Sequence, residues 1–244
     1  MTALLQSKAR LLQLNAKLAE TLTSKGVTAT ADETTTALVN KVGDIASGDD
    51  SVLRGLIQRD LTDLIIPDGI IKIGTYTFGF CTGLKKVIIP NSVINIQDRA
   101  FFNCSNLTVI VLSISLEYLG SEALRGTKIT ELILKGKVRN IQTNALPITL
   151  EKINLPKSLV WCHNNAFSGC TKLRDVTLDD NFNCNNVNLS VSTLYTRETI
   201  VSWLNALADR TGQTAYKLTI GATNLAKLTE QDILIATNKN WTLA

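Results

Sequence analysis

A leucine or isoleucine stands at positions 61, 84, 107, 129, 150 and 173, and each recurrence restarts the same apolar pattern. The spacings are 23, 23, 22, 21 and 23 residues. Counting from each of these residues, apolar side chains fall at offsets 0, 3, 5, 9 and 12, a small or hydroxyl residue at 16 and a large apolar one at 17. The first unit reads Leu61, Leu64, Ile66, Ile70, Ile73, Thr77, Phe78, and the second Leu84, Val87, Ile89, Val93, Ile96, Ala100, Phe101. The shorter units obey as well, the third with Leu107, Ile110, Leu112, Leu116 and Leu119, the fourth with Ile129, Leu132, Leu134, Val138 and Ile141. A pair at spacing two marks the inward positions of a short strand, and Pro67, Pro90 and Pro156 at offset 6 end it. One such unit cannot bury its own apolar face, whereas stacked units share a continuous core, so the period predicts a solenoid. A sixth, incomplete unit starts at Leu173, Val176 and Leu178.

Composition agrees with a core of this kind. With 45% hydrophobic, 19% charged and only 5% aromatic residues, the chain has apolar surface to bury, and its core must be aliphatic. The net charge of +4 has no Lys/Arg run and no interleaved aromatic platform, which argues against a nucleic-acid binder. The five cysteines are an odd number, so reduced structural thiols are expected and not a disulfide framework. The predicted architecture is a β-rich repeat solenoid over residues 51–190, preceded by N-terminal helices over 1–50 and closed by an α/β C-terminal cap over 191–244.

The repeated residues, as in the stretch IPDGIIKIGTYTFGFCTGLKKVIIP, resemble the BspA-like (Treponema-type) leucine-rich repeats from about Asp60 to Leu189. The resemblance implies a leucine-rich-repeat solenoid used for adhesion and recognition. It implies no catalytic residues and no cofactor. Many members of that family are secreted, whereas the run Met1 to Glu20 carries Lys8, Arg10, Lys17 and Glu20 and lacks the unbroken apolar core of an export signal. No stretch reaches the roughly 18 apolar residues of a membrane helix.

The flanks read differently. Leu4, Leu11 and Leu18 recur at seven with Leu14 between them, predicting a helix of about residues 3–25 that stops at Gly26. A second helical pattern follows Asp32 through Leu38, Val42 and Ile45. Two roles are open: a cap over the first repeat, or an oligomerising coil that would make a homotrimer. Beyond the repeats, residues 195–210 have helical spacing, 217–220 read as a strand, and Thr229 to Asp232 has capping-box spacing. A solenoid must cover its end, so these elements form the expected cap. Both flanks are also similar to segments at the ends of tail and baseplate proteins of phages of Gram-positive bacteria and of phage-tail-like bacteriocins. That resemblance implies a virion part made in the host cytoplasm, with other tail or baseplate proteins and a host surface protein or glycan as partners.

Few residues invite chemistry. His163 is the single histidine, and its neighbour Cys162 holds an inward offset, so the two point to opposite faces of a strand and cannot form a dyad. Cys81, Cys104 and Cys170 share offset 20, but the last two are about three repeats, roughly 15 Å, apart, too far to share a zinc ion. Asp179, Asn181, Asn183 and Asn185 alternate like half of a calcium loop, with Cys184 where the loop needs Gly and Ser190 where it needs Glu.

Two outward columns remain. Offsets 11 and 13 line up Lys72, Asn95, Gln97, Tyr118, Asn140, Gln142, Trp161 and His163, aromatics among amides that suit a glycan or a polar protein partner, or else an ordinary solvated sheet face. Offset 4 lines up Ile65, Ile88, Val111 and Ile133, an apolar column expected to contact another subunit or the chain's own terminal helices. The expected function is therefore non-enzymatic: a phage tail or baseplate part presenting a receptor-binding surface, alternatively a purely structural particle component or a free leucine-rich-repeat adhesin.

Overall fold

The computed structural model describes residues 62–66, 68–135 and 137–244. The expected helices of residues 1–50, with Leu4, Leu11, Leu14 and Leu18, lie outside the described residues. The repeats form successive coils, each starting at one of the recurring leucine or isoleucine positions.

Coils 1 to 5 each carry two short strands, and coil 6 carries the first of the two. The first strands of the six coils are β1 (Asp63–Ile65), β3 (Lys86–Ile88), β5 (Val109–Val111), β7 (Glu131–Ile133), β9 (Lys152–Leu155) and β11 (Asp175–Leu178). The second strands of coils 1 to 5 are β2 (Lys72–Ile73), β4 (Asn95–Ile96), β6 (Tyr118–Leu119), β8 (Asn140–Ile141) and β10 (Trp161–Cys162). Apart from β5 and β7, counterparts in neighbouring coils pair in parallel, position on position, as Leu64 on Val87 and Ile96 on Leu119. The second strands make one unbroken five-stranded sheet in coil order. The first strands make two three-stranded sheets, β1-β3-β5 and β7-β9-β11, with no pairing between β5 and β7.

The inward offsets read from the sequence are the core. Leu84, Leu107, Ile129, Leu150 and Leu173 are fully buried at offset 0, and Val93, Ile96, Leu116, Leu119, Val138 and Ile141 at offsets 9 and 12. Small residues at offset 16 let the chain turn tightly, with Ala100, Ala123, Ala145 and Ala166 all inaccessible. Phe78 and Phe101 stack across coils at offset 17 with ring centroids 5.3 Å apart.

In coils 1 to 4 the third side is a turn that carries a left-handed residue, its cost offset by main-chain bonds. Tyr76, Arg99, Glu122 and Asn144, all at offset 15, adopt φ of 53–58°, a left-handed conformation that costs a non-glycine residue about 1 kcal/mol or more. That geometry aims N–H groups along the stack: Tyr76, Phe78 and Phe80 donate to the carbonyls of Asp98, Ala100 and Phe102 at 3.2, 2.9 and 2.7 Å. Arg99, Phe101 and Asn103 repeat the pattern onto Ser121, Ala123 and Arg125.

Downstream, the stack changes type. β12 (Val187–Asn188) pairs with β13 (Tyr216–Thr219), which pairs with β14 (Trp241–Leu243), again in parallel. The links are now helical: α1 (Arg197–Ala206), the short α2 (Ala222–Leu225) and α3 (Glu230–Thr237). The helix expected over 195–210 is thus Arg197–Ala206, and the strand expected over 217–220 is Tyr216–Thr219. Thr196 caps α1 by accepting from the Thr199 N–H at 3.2 Å, and Thr229 with Asp232 forms the expected capping box on α3. Helix α1 packs on β11, and the fully buried Trp203 donates its indole N–H to the Val176 carbonyl at 2.6 Å. The last coil's exposed edge is covered in this way. Lys239 Nζ donates to the carbonyls of Leu204, Asn205 and Leu207 at 3.1, 2.6 and 2.9 Å, satisfying the open C-terminal end of α1. No helix among the described residues is long and apolar enough to cross a membrane.

Two predictions follow from this packing. A Cβ at Gly120 would stand 2.5 Å from the Asp98 main-chain nitrogen of the preceding coil. Gly120→Ala is therefore expected to cost about 1–3 kcal/mol in urea unfolding, as overpacking does. In the cap, Arg197 holds Asp232 by two hydrogen bonds of 2.8 and 2.7 Å and, with the Thr229 N–H, keeps its pKa down to about 2. Because the folded pKa is depressed, Asp232 contributes its stability above its ordinary range near pH 4 and loses it as pH falls towards 2. Asp232→Asn should be less stable than the parent chain at pH 7 and equal to it near pH 2, read from the fluorescence of Trp203 and Trp241 during acid unfolding.

Candidate binding surface

The ladder at offsets 11 and 13 stands where the sequence puts it, with unequal exposure. Lys72 is exposed, Asn95, Tyr118 and Asn140 are half-buried, and Trp161 is 54% exposed. In-register pairing places Asn95 beside Tyr118, Tyr118 beside Asn140, and Asn140 beside Trp161. Gln97, Gln142 and His163 follow the strands in the turn and are half-buried. The Asn95 side-chain oxygen is buried without a hydrogen-bond partner. Burial, and then the charge of Asp98, raises the Tyr118 phenol pKa, so the group remains a neutral donor. His163 accepts the Asn165 N–H on Nδ1 at 3.1 Å, while Cys162 points inward and is buried, as the alternation requires.

The apolar column at offset 4 is open to solvent. Ile65 is 67% exposed, Val111 and Ile133 about half exposed, and Ile88 half-buried. Beside it runs a charged column at offset 2, where Lys152 lies between Glu131 at 3.5 Å and Asp175 at 3.7 Å. No docked helix of this chain is seen over the column among the described residues.

A third patch was not foreseen. On the turn side of coils 1 and 2, the Tyr76 and Phe80 rings are nearly parallel with centroids 6.4 Å apart, and Phe102 stands edge-on 5.4 Å from Phe80. Arg99 lies 5.4 Å from the Tyr76 centroid, donates to its hydroxyl and forms an ion pair with Glu122. Phe80 is 39% exposed. The signal existed in the sequence, as aromatics at offsets 15, 18 and 19, but nothing in the period alone says which way a turn residue points. The cation seated among the rings is the chain's own.

The residues read as possible chemistry serve the scaffold. Asp179 accepts the Lys157 N–H, Asn183 accepts from Arg210, and Asn185 accepts the Lys217 N–H, so the half-motif of a calcium loop ties turns to the cap instead of converging. No group of three His, Cys, Asp or Glu side chains is placed to hold a metal ion among the described residues. All five cysteines are free and buried. Offset 20 emerges as a position for a small side chain that donates to a buried carbonyl: Cys104 to Phe78 at 2.9 Å, Thr127 to Leu124 at 2.8 Å, Thr149 to Ile129 at 2.7 Å and Cys170 to Pro147 at 3.3 Å. Burial pushes the Cys170 and Cys184 thiols up to about 12, and the hydrogen bond with Cys81 followed by burial raises Cys104 further. The native chain is accordingly expected to leave all five thiols unmodified by a disulfide reagent at pH 7, with all five reacting in denaturant. Fast labelling of any thiol in the folded chain would contradict this.

Residues 57–149 and 146–194 match the family described as BspA type leucine rich repeat region, in six copies. No curated protein matches the chain. Among solved structures, it is similar to a leucine rich cell surface protein from Faecalibacterium prausnitzii, at 29% identity over 48% of this chain and 31% of that one, with a TM-score of 0.46. It is also similar to a leucine rich repeat protein of T. pallidum, at 23% identity over 48% of this chain and 58% of that one, TM-score 0.42. A third, from Eubacterium ventriosum, is 18% identical over 70% of this chain and 43% of that one, TM-score 0.45. In each case the match spans less than two thirds of the other protein's length.

Proposed function

The chain belongs to the BspA-type leucine-rich-repeat family, and from that premise we propose that it is a non-enzymatic binding module whose offset-11 ladder presents a receptor-binding surface. One observation carries the reading: Trp161, a large aromatic, is held 54% exposed on the edge strand of a rigid sheet, in register with Asn140 and Tyr118. Keeping an indole in water is unfavourable unless a partner covers it, and rigid aromatics flanked by amides are the usual anchors of such contacts. The place of action we propose is a phage tail or baseplate, with the host cell-surface glycan or protein as partner. This part of the reading draws on the likeness of residues 16–45 and 204–241 to the ends of tail proteins. Residues 1–50 would serve as the attachment or trimerisation module.

A second reading, a scaffold part touching only other particle proteins, is favoured by the open column of Ile65, Val111 and Ile133. Sedimentation of the purified chain with cell walls of Gram-positive bacteria separates the two. The receptor reading expects binding by the parent chain and about a tenfold or greater loss in Trp161→Ala, the cost typical of an aromatic anchor, with the urea midpoint unchanged. Absence of binding to every wall tested, in every oligomeric form, would leave the scaffold reading.

A further inference from the structure

Coils 3 and 4 stay joined on two sides and part on the third. Tyr118 and Leu119 pair with Asn140 and Ile141, and the turn donates from Glu122 and Leu124 to Thr143 and Ala145 at 2.9 Å each. On the remaining side, Lys128 still donates to Leu107 at 2.8 Å, but β5 and β7 then diverge. Most of their Cα pairs lie more than 8 Å apart. Coil length alone does not decide this, since β7 and β9 pair fully across the shortest spacing, 21 residues.

The edges bordering this gap are unsatisfied. In the regular part of the stack, offset 3 and offset 5 of one coil bond to offsets 2 and 4 of the next, as Ile66 donates to Ile88 and Ile89 to Val111. By the same register the main-chain groups of Ile110 and Leu112 on one side, and of Glu131 and Ile133 on the other, face the gap, and among the described residues none bonds across it. Ile110 is half-buried, whereas Leu64, Val87, Leu132, Ile153 and Val176 at the same offset are buried. The contrast with the end of the solenoid is instructive, because there the equivalent carbonyl of Val176 is covered by the Trp203 indole N–H. The rim of the gap is apolar, with Val111 49% and Ile133 53% exposed.

We propose that this seam between coils 3 and 4 is a docking groove for an extended peptide segment of a partner protein, which enters as an added strand between β5 and β7. Unpaired N–H and C=O groups on two facing edges ask for another backbone, and the apolar rim selects β-branched or aliphatic side chains on it. The proposal rests on the reading of the chain as a binding module, but it uses the opposite sheet from Trp161.

Hydrogen exchange of the full chain tests it, with a synthetic Leu84–Pro90 peptide as probe, since this is the segment that already pairs with β5 from the other side. In the free chain, the amides of Ile110, Leu112, Glu131 and Ile133 should exchange faster than those of Val87 and Ile89. Millimolar peptide should slow them by about tenfold or more, and the same peptide N-methylated at Val87 and Ile89 should not. Seam amides already protected in the free chain, equal effects of the two peptides, or protection that grows with chain concentration because a second copy fills the groove would each overturn the proposal. Loss of cell-wall binding in Trp161→Ala has no bearing on these amides, so the two readings fail separately.

Discussion

The parallel main-chain ladder running along the stack is the constraint on which everything else depends. Each coil has too little apolar surface to fold alone, and each buries its strands' polar groups only against the coils before and after it. The in-register pairing of Leu64 with Val87 and Ile110, or of Ile73 with Ile96 and Leu119, makes the inward columns continuous. The same requirement explains the left-handed residues at offset 15, whose local cost is recovered because their turn then donates N–H groups to the next coil, three in coils 1 and 2 and two in coil 3. It also explains why cysteine and threonine interchange at offset 20, where what is needed is a compact donor for a buried carbonyl.

Surface properties follow from the ladder as well. Because the coils repeat in register, any outward offset becomes a column, so one residue choice per coil writes a stripe of amides, of charges or of aliphatics. The alternating Glu131, Lys152 and Asp175 form such a stripe, as do Asn95, Tyr118, Asn140 and Trp161. Where the ladder ends or fails, the polar groups of an edge must find other partners. The cap meets this demand with Trp203 and Lys239, side chains reaching main-chain carbonyls. The seam between coils 3 and 4 does not.

Much of this was legible in the residues because the period is redundant. Five units obeying one set of offsets identify the inward positions without any structure, and the inaccessibility of Leu84, Ile96, Leu119 and Ile141 is the consequence. The capping box at Thr229 and Asp232 was readable for a similar reason, since its spacing carries its own hydrogen bonds. The ladder of Lys72 to His163 was only partly legible: alternation assigned the side of the sheet, but not that Asn95 and Tyr118 would be half-covered by their neighbours while Trp161, on the edge strand, would not.

The repeating offsets are enough to give the stack, its core and its outward columns, because such a pattern admits one way of hiding apolar side chains. Where the ladder opens is a property of the fold: the loss of two residues between β7 and β9 leaves those strands fully paired, whereas β5 and β7 part across a loss of one. There the second sheet and the turn hold, and the first sheet does not. The grouping of Tyr76, Phe80, Phe102 and Arg99 is of the same kind, since it depends on turn directions that hydrogen bonds between coils impose and no local pattern records.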